Sequence, residues 1–171
     1  MGPFETRRLR LDPLVMSDAA EIAALHGDPR IAAYLLDGIP TTVDHARIFI
    51  NWAQSLAYRN IGVVAARRPA EHALIGLFSL TPFERSPDLE LGGKLARGGW
   101  GSGLAFEAGA RLIDHAFDTL GQRRLISAYH PDNRAVPAIL SRLGFVPDGE
   151  TRVFGRPAMR MILHRPPKRN D

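Results

Sequence analysis

Leu9 and Leu11 alternate with Arg8 and Arg10, the period of a half-buried strand, and the pattern predicts one strand over residues 4–14. The period then lengthens. Ser17 as N-cap, with Asp18 and Glu21 in the first turn, predicts a helix whose apolar stripe is Ile22 and Leu25. Gly27-Asp28-Pro29 stops it, and a short helix follows to Tyr34. Thr41-Thr42 caps a longer helix in which Ile48, Phe49, Trp52 and Leu56 share one face. Short apolar runs then predict strands at 61–66, at 73–80 and from Leu89 onward, with turns at 69–72 and 82–88. The Gly92-Gly93 pair inside the third strand predicts a bulge or a close backbone approach. A glycine-dense stretch at 98–103 leads into a helix with Phe106, Ala110, Ile113 and Phe117 at helical spacing, ended by Gly121. A strand at 124–129, a turn at Pro131-Asp132-Asn133, a helix to Leu143-Gly144-Phe145 and one or two final strands, among them 159–163, complete the pattern. Residues 166–171 read as a disordered tail.

This order predicts a mixed α/β (α+β) domain, with antiparallel hairpins first and a strand–helix–strand crossover at its centre. A chain of 171 residues without an internal repeat or a composition break predicts one domain over residues 1–165. Hydrophobic content of 45% is that of an ordinary globular chain. There is no cysteine, which excludes disulfide frameworks, cysteine nucleophiles and thiolate–zinc sites. The six histidines never form a two-histidine metal spacing on one element, so no metal is expected. No apolar run approaches the roughly 20 residues that span a bilayer. The first residues do not follow the basic-then-apolar pattern of a signal peptide. Those readings predict a cytoplasmic protein away from the membrane. A net charge of +4 favours an anionic ligand, an acidic peptide or RNA. No basic run carries interleaved aromatics, so no specific nucleic-acid partner is expected.

The stretch Trp100-Gly101-Ser102-Gly103-Leu104-Ala105 carries the sharpest chemistry. It lies between a predicted strand and a predicted helix. The first N–H groups of a helix lack internal partners, and the macrodipole adds about half a positive charge there. Glycines let the backbone approach an anion without a Cβ in the way. A phosphate or pyrophosphate fits such a turn, and Arg97 adds a side-chain charge. The stretch lacks the Gly-Lys-Ser/Thr ending of a nucleotide-triphosphate loop. Phe106 stands where a dinucleotide fingerprint needs its third glycine. On the glycines alone, a flexible connector remains the other reading.

Glu90-Leu91-Gly92-Gly93-Lys94-Leu95 followed by Gly99-Trp100-Gly101-Ser102-Gly103-Leu104-Ala105-Phe106-Glu107-Ala108 resembles the central cofactor motif of the GNAT superfamily of N-acetyltransferases. In that family a six-residue stretch, Gln/Arg-x-x-Gly-x-Gly/Ala, holds the pyrophosphate of acetyl-CoA. Here it corresponds to Trp100 through Ala105, with Trp100 in place of Gln or Arg. Three further segments resemble the branch of Rim-type ribosomal-protein alanine N-acetyltransferases. They are the opening Thr6-Arg7-Arg8-Leu9-Arg10-Leu11-Asp12-Pro13-Leu14 with Asp18-Ala19 after it, the hairpin residues Leu74-Ile75-Gly76, and Asn133-Arg134-Ala135 ending at Leu143-Gly144-Phe145. The likeness covers residues 6–164.

The resemblance implies a mostly antiparallel sheet of six to seven strands, helices on both faces, and a parallel strand pair splayed at a bulge. It implies acetyl-CoA as cofactor, with its pantetheine arm beside Leu91, Gly92, Gly93, Lys94 and Leu95 in the splay. Arg97, Arg134 and Arg142 become candidates for its 3′-phosphate. Glu90 falls where many relatives place an acid, and is expected as general base or as a cation partner, with Asp88 on the same strand face as its understudy. Asn133 is retained from the family, as a cofactor contact or as an ordinary helix cap. Tyr34, Phe78 and Trp52 are candidates for the acceptor pocket, with helical spacing making Trp52 a core residue instead. Relatives carry a proton donor where this chain has Val136 or Leu140, and neither can donate. Tyr129, His130 and Ser141 are near in sequence but off those positions.

The implied activity is acetylation of a primary amine, either a protein α-amine or a small molecule. A polyamine acceptor would call on the acids Asp88, Glu90 and Glu107. A non-catalytic acetyl-CoA-binding module is the alternative. RNA or ribosome association rests only on the basic balance and Pro167-Lys168-Arg169. The chain is expected as a monomer or homodimer.

Overall fold

Six of the seven neighbouring strand pairs among the described residues are antiparallel, and the one parallel pair lies between the fifth and sixth strands. The computed structural model describes residues 1–36, 42–84 and 86–167. Its strands are β1 (Phe4–Glu5), β2 (Arg10–Pro13), β3 (Gly62–Arg67), β4 (Gly76–Pro82), β5 (Leu89–Leu95), β6 (Arg124–Tyr129), β7 (Val146–Val153) and β8 (Arg156–His164). They form one eight-stranded sheet in the order β1-β2-β3-β4-β5-β6-β8-β7. The helices are α1 (Ala19–Gly27), α2 (Pro29–Ala32), α3 (Val43–Ser55), α4 (Leu104–Asp114) and α5 (Ala135–Arg142).

Alternation along β4 shows how the helices divide between the two faces. Leu77 packs with Ile22 and Leu25 of α1 and with Ala46 and Ile50 of α3. Phe78 and Leu80 join the larger cluster, with Leu104, Ala108 and Leu112 of α4 and Leu140 of α5. A third cluster gathers Leu36, Phe83, Ile126, Val153 and Ala158.

The sheet exceeds the expected six or seven strands for two reasons. The strand expected over residues 4–14 is split, because Thr6 folds the chain: its amide donates to the Leu9 carbonyl at 2.8 Å and its hydroxyl oxygen accepts the Leu9 amide at 3.0 Å. β7 has no range in the sequence pattern, which places only residues 159–163 in a strand at this end of the chain. It is an edge strand, mostly exposed and polar, with a register shift between Pro147 and Glu150. Such a strand carries no apolar alternation to read.

Three local expectations are corrected. Ser17 does not cap α1; a 3-10 turn, Met16–Asp18, precedes the helix, and the Asp18 carboxylate takes the Val15 amide at 3.0 Å. On α3, Thr42 caps as expected by accepting from the His45 amide, while Thr41 lies outside the described residues. The buried face of α3 is Ala46, Ile50 and Ala53, and Ile48 and Trp52 are 66% and 45% exposed. Small residues let the helix lie close to the sheet, so Ile48 and Trp52 turn outward and Trp52 is not core, while Phe49 and Leu56 pack half-buried at the edges. On α4 the buried stripe is Leu104, Ala108 and Leu112, one or two residues earlier than the expected Phe106, Ala110 and Ile113, while Phe117 is buried as expected. Residues 168–171 of the expected tail lie outside the described residues.

Candidate active site

β5 and β6 run in parallel for only two residue pairs, Leu89 with Leu125 and Glu90 with Ile126. β5 nevertheless stays paired with β4 as far as Leu95, and β6 stays paired with β8 as far as Tyr129. Beyond Glu90 the two central strands therefore stand apart while each keeps its outer neighbour. Asp88 and Arg124 close the other end of the pair.

The bulge expected at Gly92-Gly93 is absent from the β4–β5 ladder, whose register is constant from Gly76 opposite Leu95 to Pro82 opposite Leu89. Close approach explains the glycines instead. A Cβ on Gly93 would stand 2.6 Å from a Phe78 ring carbon, and one on Gly92 would stand 2.6 Å from Ser79 Oγ. Glu90 shares its sheet face with Gly92 and Lys94, because side chains alternate along β5. Its carboxylate accepts from the Ala128 amide at 3.4 Å. On the opposite face, the buried Ser127 hydroxyl donates to the Leu91 carbonyl at 2.9 Å.

Because β5 and β6 are parallel, α4 must return antiparallel to both. Its N-terminus therefore stands at the end where the strands diverge. A 3-10 turn, Arg97–Gly99, leads into the glycine stretch. Gly101 and Gly103 have φ of +68° and +78°, in the left-handed region that glycine enters without a Cβ penalty. Gly103 is the N-cap of α4, and the first helical bond to it is Glu107 N–H to the Gly103 carbonyl at 3.1 Å. The amides of Leu104, Ala105 and Phe106 thus lack helical partners. The turn itself is held from inside. Trp100 Nε1 donates to the Leu95 carbonyl at 2.7 Å, and the Ser102 hydroxyl to the Gly99 carbonyl at 2.6 Å.

Two residues to which the sequence assigns no role in holding this turn brace it. Arg8 donates from Nε to Glu107 Oε2 at 2.7 Å and from Nη1 to the Ser102 carbonyl at 2.8 Å. Glu107 Oε1 also takes the Arg8 amide at 2.7 Å and the Thr6 hydroxyl at 2.6 Å. Burial pushes the Glu107 carboxyl up, but the bonds from Thr6 and Arg8 outweigh it and hold the group below its ordinary value. Glu107 is therefore committed to the β1–β2 turn and unavailable as an acid for a polyamine. The signal was Thr6-Arg7-Arg8 in the opening segment. Its contact with residue 107 is about 100 positions away and has no local pattern.

Asp88 is also spoken for. It precedes β5, at the far end of the parallel pair from the splay. Arg124 Nε reaches Oδ1 at 2.9 Å and Ser86 Oγ reaches Oδ2 at 2.8 Å. The hydrogen bond from Arg124 holds its carboxyl below the ordinary range, against the effect of burial. Phe78 is buried in the larger core, on the opposite sheet face from Glu90, so it does not line a pocket on Glu90's side.

Tyr34 does reach the open end. Its ring meets His130, just past β6, edge-on at 6.1 Å, and Arg156 Nη1 ties the β7–β8 hairpin to the neighbouring Leu35 carbonyl at 3.2 Å. Asn133 does not cap α5. The cap position is Arg134, without a side-chain bond, and the Asn133 amide donates to the His130 carbonyl at 2.9 Å. Arg97 and Arg134 are exposed, while Arg142 lies 5.0 Å over the Phe106 ring. Leu140 is core and Val136 half-buried against it. No helix among the described residues is long and apolar enough to cross a membrane.

The chain belongs to the family of the acetyltransferase (GNAT) domain, whose model matches residues 8–146. It is 27% identical over 166 residues to the uncharacterized N-acetyltransferase p20 of Bacillus licheniformis, covering 95% of this chain and 92% of that one. Among solved structures it is similar to an acetyltransferase from Agrobacterium tumefaciens str. C58. The TM-score is 0.82 at 26% identity, covering 96% of this chain and 95% of the other. The ribosomal-protein-S5-alanine acetyltransferase of Vibrio fischeri shares the fold, with a TM-score of 0.80 at 22% identity over 94% and 95% of the two chains.

Proposed function

We propose that this GNAT-family chain transfers an acetyl group from acetyl-CoA to a primary amine in the cytoplasm. The observation that carries the reading is the coincidence of two features at one end of the sheet. The parallel strands part after Glu90, and the glycine turn at the head of α4 presents amides without helical partners at that same end. A diphosphate on Gly101, Ser102, Gly103, Leu104 and Ala105 would sit on those amides and on the positive end of the helix. An extended, amide-bearing arm would then run between β5 and β6 beside Leu91 to Leu95, bonding the facing backbone groups as an added strand does.

The acceptor amine approaches from the face that carries Glu90, past Tyr34. It must be neutral to attack. An α-amine, with pKa about 7.7–8.0, needs less help than a lysine side chain at about 10.4. The amine nitrogen bonds to the acyl carbon, the carbon–sulfur bond breaks, and the proton lost from nitrogen passes to Glu90, directly or through water. With leucine and valine at residues 140 and 136, the thiolate takes its proton from water. A thiol of pKa about 8.5 leaves without a strong acid.

The test is a panel of peptides beginning with Ala, Ser or Met, and of small amines, incubated with acetyl-CoA and read by release of free thiol. Amine-dependent release is expected with at least one class. Tight acetyl-CoA binding with no release across the panel would establish the non-catalytic module instead. No binding of acetyl-CoA at all would overturn both readings.

A further inference from the structure

The parting of β5 from β6 leaves two backbone groups at its root that a continuous parallel ladder would have paired. Extending the register of Glu90 opposite Ile126 sets Leu91 opposite Ser127. Buried backbone polar groups without partners are costly, so a split in a sheet needs a way to satisfy them. Here each strand answers with a side chain. Ser127 of β6 donates its hydroxyl to the Leu91 carbonyl of β5 at 2.9 Å. Glu90 of β5 accepts the Ala128 amide of β6 at 3.4 Å. Ser127 is 5% exposed, so water does not compete readily for the Leu91 carbonyl.

We infer that Ser127 is a positioning residue: with Glu90 it forms a reciprocal latch that fixes the width of the gap between β5 and β6 and so seats the cofactor arm. The role in seating the arm rests on the proposed acetyl-CoA reading; the latch itself does not. A side chain standing between facing backbones prevents the strands from closing into a regular ladder. Its bond to the opposite strand also stops them from spreading. The two bonds lie on opposite faces of the sheet, since Glu90 and Ser127 occupy opposite sides, so together they resist twisting as well as separation. The latch has a second effect. It occupies the Leu91 carbonyl, which directs an incoming arm to the backbone groups beyond that point.

The experiment has two arms, each run on wild type, Ser127→Ala and Ser127→Thr. Amide hydrogen exchange without ligand reads the latch. Ser127→Ala is expected to raise exchange at residues 91–95 and 127–129 roughly tenfold, leaving α1 and α3 unchanged, with Ser127→Thr closer to wild type. Equal exchange in all three proteins, or a rise spread evenly over the sheet, overturns the latch. Steady-state kinetics reads the positioning. Ser127→Ala is expected to raise KM for acetyl-CoA about tenfold while kcat at saturation changes by less than about twofold, and Ser127→Thr recovers KM. A loosened gap with an unchanged KM overturns the positioning role. If wild type fails to bind acetyl-CoA, the proposed function falls, and the exchange arm still decides whether the latch exists.

Discussion

Asp88 and Arg124 are joined by two close contacts, Nε to Oδ1 and Nη2 to Oδ2, each 2.9 Å, one residue before the paired stretch of β5 and β6 begins. Two residues further on, the same strands part. The ion pair thus clamps the closed end of a pair whose other end is open. Asp88→Asn should lower Tm at neutral pH, since it keeps the shape and loses the charge. The Arg124 bond lowers the Asp88 pKa below its ordinary 3.8. The stabilisation is therefore fully present above about pH 3.8 and is lost as pH falls through the lower folded value. Thermal melts of both proteins from pH 7 to pH 2.5 should show the gap in Tm closing at the acid end. A gap independent of pH would assign the effect to packing.

Arg8 and Glu107 connect the N-terminal hairpin to the glycine turn at the head of α4. Removing the guanidinium by Arg8→Ala leaves a half-buried, unneutralised carboxylate beside the site proposed for a diphosphate, where it repels the ligand. Acetyl-CoA affinity should fall about tenfold or more. Arg8→Lys should not restore it, because one ammonium cannot span Glu107 Oε2 and the Ser102 carbonyl as the guanidinium does. Calorimetric titration of the three proteins checks both statements, and wild-type affinity in Arg8→Ala would show the brace to be irrelevant to binding.

At Gly103 the cradle and the backbone give separable effects. A Cβ there meets only Arg8 Nη2, at 3.5 Å, but φ is +78°. Gly103→Ala should therefore cost about 1–2 kcal/mol from left-handed backbone strain and weaken acetyl-CoA binding only moderately. Gly103→Glu adds bulk and a negative charge on the diphosphate side, and binding should disappear. Denaturant melts give the first quantity and titration the second. Acetyl-CoA bound at full strength by Gly103→Glu would move the ligand away from this turn.

Much of the candidate site's local structure was legible because it is local in sequence. Glycines 101 and 103 and the helix after them stand in one short stretch, and strand–turn–helix follows from that stretch alone. The parallel pair follows from the crossover. What failed to show were relations with no period. The buried face of α3 runs through Ala46 and Ala53, which a reading weighted toward large residues passes over in favour of Ile48 and Trp52. β7 has no apolar face to betray it. By sequence Glu107 reads as spare acid for a substrate, whereas in the fold Thr6 and Arg8 lie against it. Asp88 and Glu90 share a spacing of two, yet one is locked to Arg124 outside the strand and the other faces the split.

Glu90 separates catalysis from architecture through two substitutions. Glu90→Gln keeps an oxygen that can accept the Ala128 amide, so the split and the acetyl-CoA KM should be preserved. It loses the carboxylate proposed to take the proton. A general base contributes about 10²–10⁴ in rate, and its loss matters most where the amine is protonated. kcat should therefore fall roughly a hundredfold near pH 6.5 and recover progressively as the acceptor deprotonates toward pH 9. Glu90→Ala loses both functions, so its KM for acetyl-CoA should rise as well. Rate profiles from pH 6 to pH 9.5 with one peptide and one small amine decide the matter. If Glu90→Gln runs parallel to wild type across that range, Glu90 is a structural member of the split and the proton leaves by another route.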